Sequence, residues 1–162
     1  MKKISVICVI LLSVLTIGTC WAMPISEMSL GGVTLGMSRQ AVKNIYGDPA
    51  KISCRTTATE IPIEVEDWLY GENFEISFVK DSVIFISTSG NNGIKTPSGL
   101  TYGAQQFDVR RYYGQTYNDY PYECSDEGIH HMIYFIGHPV QGAIDFGCKG
   151  GKVSFIHIYF PD

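Results

Sequence analysis

Histidines and cysteines are the residues of this chain whose chemistry could build a metal site. His130 and His131 lie between Cys124 and Cys148, and zinc in proteins is bound by such side chains. The spacing matches no CxxC-type zinc site, and neighbouring residues of a strand point to opposite faces, so one ion would not reach both histidines. We therefore predict no metal site. All four histidines are expected to be surface or packing residues: His130, His131, His138 and His157.

Catalytic motifs are absent from the sequence. It contains no GxSxG, HExxH, P-loop or dinucleotide-binding fingerprint. The acidic pairs Glu66–Asp67 and Asp126–Glu127 consist of neighbouring residues that point apart, and we expect them to be solvated. Cys54 has only Arg55 as a basic neighbour, which does not indicate a reactive thiol. We predict a protein without enzymatic activity and without a cofactor.

The N-terminus has the layout of a secretory signal peptide. A basic MKK precedes an apolar run from Ile4 to Gly18, and small residues at Cys20 and Ala22 predict cleavage after Ala22. The apolar run is shorter than the about 20 residues that a membrane-spanning helix needs. Two alternatives stay open, a retained membrane anchor and a lipoprotein that carries its lipid on Cys20. We predict export to the periplasm or the medium, with membrane association only if Cys20 is lipidated.

Export would leave an acidic chain with three cysteines. The net charge of −4 becomes −6 when Lys2 and Lys3 are removed with the signal peptide. An acidic chain without a basic cluster argues against nucleic acid as a partner. An oxidising compartment favours disulfide formation, and Cys124 and Cys148 lie in the same half of the chain. They are the disulfide candidates, although Cys54 could replace either of them.

Two stretches of sixteen residues are similar to each other. GVTLGMSRQAVKNIYG covers residues 32–47, and GLTYGAQQFDVRRYYG covers residues 99–114, which is 67 positions later. Each copy predicts a short helix that a glycine ends, with Ser38 as the N-cap of the first copy and no capping hydroxyl in the second. The predicted apolar stripes of the two helices are Val42, Ile45 and Tyr46, and Val109, Tyr112 and Tyr113.

Strand-like segments follow each helix. The first set is AKISCRT, EIPIEVEDWLY, NFEISFV and SVIFISTS, and the second is YPYECS, IHHMIYFIG, GAIDFGC and KVSFIHIYF. Ile61, Ile63 and Val65 alternate with acidic residues, so we expect these three on a buried face. The sequence predicts an α+β fold of two tandem repeats, each a short helical segment packed on a three- to four-stranded antiparallel sheet. The predicted divisions are a signal peptide (1–22), a first repeat (23–90) and a second repeat (91–162).

The first copy and the residues after it, GVTLGMSRQAVKNIYGDP, resemble the signature of the SmpA/OmlA (BamE-like) family of outer-membrane assembly proteins. The matching positions are Gly32, Gly36, Met37, Ser38, Val42, Gly47 and Pro49, with Trp68, Tyr70, Phe78 and Val83 downstream. The second copy matches less well and keeps Gly103, Val109 and Gly114. A tandem duplication of this unit is also similar to the secreted β-lactamase inhibitory proteins, which bind their target on a concave sheet face. These resemblances imply the fold and leave the partner open.

Aromatic residues are the predicted partner-binding groups. Tyr117, Tyr120 and Tyr122 lie after the second helix, and Trp68 and Tyr70 lie on a strand of the first repeat. Rigid aromatic side chains with polar tips are enriched at protein interfaces, although these could instead cover the core. Aromatic groups of both repeats could converge on an exposed sheet face. We predict a non-enzymatic protein-binding module of the bacterial cell envelope, for example an outer-membrane assembly accessory, with a secreted enzyme inhibitor of the β-lactamase inhibitory type as the alternative.

Overall fold

The chain forms two α-helices and a large antiparallel sheet within the residues that the structure describes. This computed structural model describes residues 23–58, 61–114, 119–121, 128–137 and 141–161. Helix α1 spans Arg39–Tyr46 and helix α2 spans Gln106–Tyr113, and a single 3₁₀ turn covers Ile25–Glu27. The predicted α+β class is confirmed.

Eight strands form one continuous antiparallel sheet. A separate two-stranded ribbon pairs β1 (Ser29–Leu30) with β2 (Val33–Thr34). The strands of the sheet are β3 (Lys51–Thr56), β4 (Glu64–Tyr70), β5 (Phe74–Val79), β6 (Ser82–Thr88), β7 (Asp119–Pro121), β8 (Ile129–Ile136), β9 (Gly142–Lys149) and β10 (Lys152–Tyr159). Their order is β3-β4-β5-β6-β10-β9-β8-β7. Two meanders therefore meet in the middle, where β6 pairs with β10.

Local chemistry sets the ends of both helices as the sequence predicts. The Ser38 hydroxyl accepts a hydrogen bond from the Ala41 N–H at 3.3 Å, and Gln105 makes no side-chain cap at the start of α2. Gly47 follows α1 with a φ of +75° and Gly114 follows α2 with a φ of +80°, a backbone conformation that favours glycine. Each glycine N–H donates to the carbonyl four residues earlier, which satisfies one free acceptor of the helix end.

The apolar stripes of the helices are narrower than predicted. Val42 and Val109 are fully buried, but Tyr112 is 61% exposed and Ile45 is also exposed. A helix of eight residues makes only two turns, so few of its side chains reach the sheet. The prediction that Tyr112 belongs to the core is therefore wrong.

One predicted buried face is also wrong. Ile61 is 78% exposed and Ile63 is exposed as well, because β4 begins only at Glu64. Pro62 lies between the two isoleucines, and a proline has no N–H to donate to a neighbouring strand. Val65 is buried, but it lies on the face of the sheet that points away from the helices.

The core lies between the two helices and one face of the sheet. Its central row crosses the sheet through residues that pair from strand to strand: Trp68, Ile76, Ile86, Ile158, Ile144 and Tyr134. Val42 and Val109 reach this core from the helices. We call the opposite side of the sheet, which no described helix covers, the open face.

Candidate functional site: the open face of the sheet

The structure places two of the predicted partner residues beneath α1. Trp68 is 2% exposed, its ring centroid lies 4.6 Å from that of Phe78, and its indole N–H donates to Glu66 at 2.5 Å. Tyr70 is half-buried and its hydroxyl donates to the Gly47 carbonyl at 3.1 Å. The prediction that Trp68 and Tyr70 form an exposed partner surface is therefore corrected. Alternate residues of β4 face the helix, and these two belong to that set.

The other predicted partner residues lie at or beyond the margin of what the structure describes. Tyr117 and Tyr122 lie outside the described residues. Tyr120 is described only by its backbone, which pairs with His131 at the outer strand β7. The partner-binding role of these three tyrosines stays a prediction.

The cysteines differ in their surroundings. Cys54 is exposed on the outer strand β3, whereas Cys148 is a buried free thiol 3.9 Å from the sulfur of Met132. Burial raises the pKa of the Cys148 thiol to about 11, so this group does not act as a thiolate nucleophile near neutral pH. The predicted disulfide is not shown, because Cys148 carries a free thiol in the structure and Cys124 lies outside the described residues.

The carboxylates of Glu66 and Asp67 are paired, which corrects the expectation that they are merely solvated. Glu66 on the helix side accepts from Arg39 at 3.2 Å in addition to Trp68. Asp67 on the open face accepts from Arg55 at 2.9 Å. The second predicted pair, Asp126–Glu127, lies outside the described residues.

Four rings form a chain across the middle of the open face. Phe85 on β6 lies 5.2 Å from His157 on β10, measured between ring centroids. His157 stacks on Phe155 at 4.2 Å with an interplanar angle of 19°, and Phe155 lies 5.4 Å from His131 on β8. We call these four residues the aromatic strip. It connects the two meanders on the side of the sheet that no described helix covers, and no sequence motif indicates it.

Burial shifts the pKa of two groups, His157 in the strip and Asp145 beside it. His131 Nδ1 lies 2.8 Å from a carboxylate oxygen of Asp145, which is only 6% exposed. Burial raises the pKa of Asp145, and the hydrogen bond with His131 opposes that rise. Burial, reinforced by the nearby His131, lowers the pKa of His157 to about 4. His157 is therefore a neutral ring at physiological pH.

Three buried polar atoms on the open face have no hydrogen-bond partner among the described residues. They are Ser77 Oγ, Asp67 Oδ1 and Asp145 Oδ1. Buried polar atoms in folded proteins are normally satisfied, so these three atoms are exceptions to that rule. These atoms flank the aromatic strip, because Ser77 pairs with Phe85 and Asp145 pairs with His157.

A glycine makes room for the strip. A methyl group built on Gly147 would overlap with the ring of Phe155, which lies across this glycine. We expect Gly147→Ala to lower the free energy of unfolding by about 1–2 kcal/mol, because the ring must leave its stack on His157 or strain the strand. Chemical denaturation measures the loss, and the proton shifts of the His157 ring report the stacking. Adding Phe155→Leu should recover part of the stability, and a G147A variant as stable as wild type would contradict the crowding argument.

The described residues contain no group of three or more His, Cys, Asp and Glu side chains arranged to hold a metal ion. In the same part of the chain, neither helix has the length and apolar character that crossing a membrane requires.

Comparison with known proteins does not assign this chain to a family. No family model and no curated protein matches it. An extracellular protein containing an SCP domain from Bacillus anthracis str. Ames aligns over 77% of the chain with a TM-score of 0.45 and 10% identity. The chain spans only 43% of the length of that protein. A candidate β-lactamase inhibitor protein from Streptococcus mutans aligns over 73% of the chain and 79% of its own length, with a TM-score of 0.29 and 16% identity.

Proposed function

We propose that this chain is an exported protein-binding module of the bacterial cell envelope that acts without catalysis and contacts its partner through the open face. The observation that carries the proposal is the aromatic strip beside unsatisfied buried polar atoms. Aromatic side chains contribute much of the binding energy at protein interfaces, where polar groups nearby find their partners in the complex. The signal-like N-terminus supports the exported location.

Substitution within the strip tests this proposal. We expect a Phe85→Ala and Phe155→Ala double variant to weaken partner binding by about thirtyfold or more, because each of the two rings is a candidate anchor worth about 1 kcal/mol or more. A crosslinking pulldown from the native envelope identifies the partner, and titration of the purified pair gives the affinity. Phe107→Ala is the matched control, since Phe107 is 72% exposed on α2 and lies off the open face. Equal affinity of the double variant and the control would refute the proposal.

A secreted enzyme inhibitor is the second candidate, and the position of the strip favours it. The resemblance to β-lactamase inhibitory proteins implies binding through a sheet face, and the strip lies on a sheet face rather than on a helix. An inhibitor would inactivate its target enzyme at a one-to-one ratio, and it would do so in solution with no envelope fraction added. Titrating a panel of secreted hydrolases, including a class A β-lactamase, against the purified protein separates the two candidates, since an assembly accessory leaves all of them active.

We also infer that the two halves are copies of one BamE-like unit. Two three-ring clusters with nearly equal spacing support this inference. In the first half the centroid distances are 5.3, 5.2 and 6.3 Å, and in the second they are 5.2, 5.3 and 6.3 Å. The clusters are Tyr46, Tyr70 and Phe74, and Tyr113, Tyr134 and Phe146.

Backbone contacts repeat in the same way. Gly36 donates to the Val83 carbonyl at 2.8 Å, and Gly103 donates to the Val153 carbonyl at 2.8 Å. Beside each acceptor a single extra residue makes a bulge, in β6 before Phe85 and in β10 before Phe155. The pairing of β6 with β10 is also reciprocal, since Ile86 pairs with Ile158 while their counterparts, Ile156 and Thr88, pair with each other. A duplication explains all of these matches at once.

A further inference from the structure

A small acidic cluster adjoins the aromatic strip at the first-half side of the open face. Asp67 on β4 pairs with Ser77 on β5, and Ser77 pairs in turn with Phe85 of the strip. Glu75 precedes Ser77 by two residues and therefore lies on the same face of β5. Two carboxylates and one hydroxyl thus lie next to an aromatic ring.

The side chains of this cluster offer more hydrogen-bond acceptors than donors. Ser77 is completely buried and its Oγ has no partner, and Asp67 Oδ1 is buried without one as well. Arg55 pairs with Asp67, and its Nε lies 2.9 Å from Asp67 Oδ2. Burial first, and then the charge of Asp67, raises the pKa of Glu75, which Arg55 offsets only in part. The negative charge of the two carboxylates therefore exceeds the positive charge of Arg55.

We propose that Asp67, Glu75 and Ser77 form a pocket for a lysine or arginine side chain of the protein partner, and that Arg55 occupies part of it in the free protein. An ammonium group has three N–H donors and a guanidinium has five, and the pocket offers acceptors from three side chains. The adjacent Phe85 ring adds a favourable surface for a cation. Arg55 is suited to move aside, because its side chain is half exposed whereas that of Asp67 is nearly buried.

This inference rests on the proposed function, since it names the chemistry of the partner at the open face. It also predicts a property of the isolated protein that does not depend on the partner. The pocket should bind a small alkylammonium ion, and n-butylammonium is the probe, with n-butanol as its neutral counterpart. Both are added to the intact ¹⁵N-labelled protein at constant ionic strength, and the backbone amide shifts of Asp67 and Ser77 are followed.

We expect n-butylammonium to shift these amides saturably and n-butanol to leave them unchanged. Asp67→Asn should weaken the binding by about tenfold, because a charge-assisted hydrogen bond is lost. Glu72→Gln is the matched control, since it removes a carboxylate from the exposed turn between β4 and β5. Arg55→Gln should strengthen the binding about threefold by removing the internal competitor, a change that loss of a merely structural salt bridge would not produce.

The outcomes separate this inference from the proposed function. Equal shifts with n-butylammonium and n-butanol, or weaker binding in R55Q, would overturn the cation pocket. The partner test with the strip variants would then still decide the proposed function by itself. If the probe binds as expected, Asp67→Asn should also lower the affinity for the captured partner. An unchanged affinity would show that no cation of the partner enters the pocket.

Discussion

Lowering the pH from 7.5 to 5 is expected to reduce the free energy of unfolding by about 2 kcal/mol through His157 alone. Burial lowers the pKa of His157 to about 4 in the folded protein, whereas an unfolded chain has a value near 6.5. Between these two values the unfolded state binds more protons than the folded state. The contribution of His157 to the free energy of unfolding therefore rises with pH through this window. It is fully present above about pH 6.5 and is lost as the pH drops towards 4.

Urea denaturation at a series of pH values measures this effect. His157→Gln should flatten the dependence between pH 5 and pH 7, because the group that takes up the proton on unfolding is gone. Phe107→Ala, at an exposed position of α2 without a titratable group, is the control and should keep the wild-type slope. Asp145 acts in the opposite direction at lower pH, since burial raises its pKa and folding then favours its protonated form. A wild-type slope in H157Q would show that the neutral buried ring is not the source.

The parts of the fold that sequence could predict are those decided by neighbouring residues. Ser38 caps α1 and Gly47 ends it, because each acts on the backbone within one helical turn. Most of the segments predicted as strands are strands near their predicted bounds, except that β4 begins four residues after the start of EIPIEVEDWLY and that YPYECS lies largely outside the described residues. The pairing of β6 with β10 depends on residues far apart in the chain, and no local pattern specifies it.

The candidate site was missed for a related reason. Strict alternation in β10 would place Val153 on the same face as Phe155 and His157. The bulge at Ser154 shifts the phase, so Val153 lies in the core while the two rings lie on the open face. A strand that is apolar on both faces does not indicate which face will be covered. The tyrosines after α2 cluster in the sequence and are therefore predicted to bind a partner. The strip is instead assembled from three strands that are distant in sequence.

The first residues of each half form a short arm that contacts the other half. Met23 bridges to Ile136 of β8, and the Glu27 carboxylate accepts from the Tyr113 hydroxyl at 2.5 Å, so the N-terminal arm (residues 23–28) contacts the second half. The middle arm (residues 90–95) contacts the first half, where the Lys95 carbonyl accepts from the Gly31 N–H at 2.9 Å. The predicted boundary at residue 90 therefore separates each arm from the half that it stabilises.

Two fragments of equal length are expected to differ in stability because of these arms. Residues 29–98 keep the middle arm on the first half, whereas residues 23–92 cut through it and retain the N-terminal arm without its partner. We expect fragment 23–92 to show no cooperative thermal transition, and fragment 29–98 to unfold cooperatively but well below the intact chain. Both fragments lose the strand that covers β6, and a domain of this size buries little core of its own.

Circular dichroism with heating, followed by hydrogen exchange of the intact chain, measures the difference. Equal melting curves for the two fragments would show that the arms contribute nothing to the first half. A fragment as stable as the intact chain would show that β6 and β10 join two independent domains. If instead fragment 29–98 is more stable than fragment 23–92 and both are less stable than the intact chain, the folding of each half depends on the pairing of β6 with β10. The aromatic strip crosses the β6–β10 pairing from Phe85 to His157. A change that separates these two strands would therefore also break up the proposed binding face.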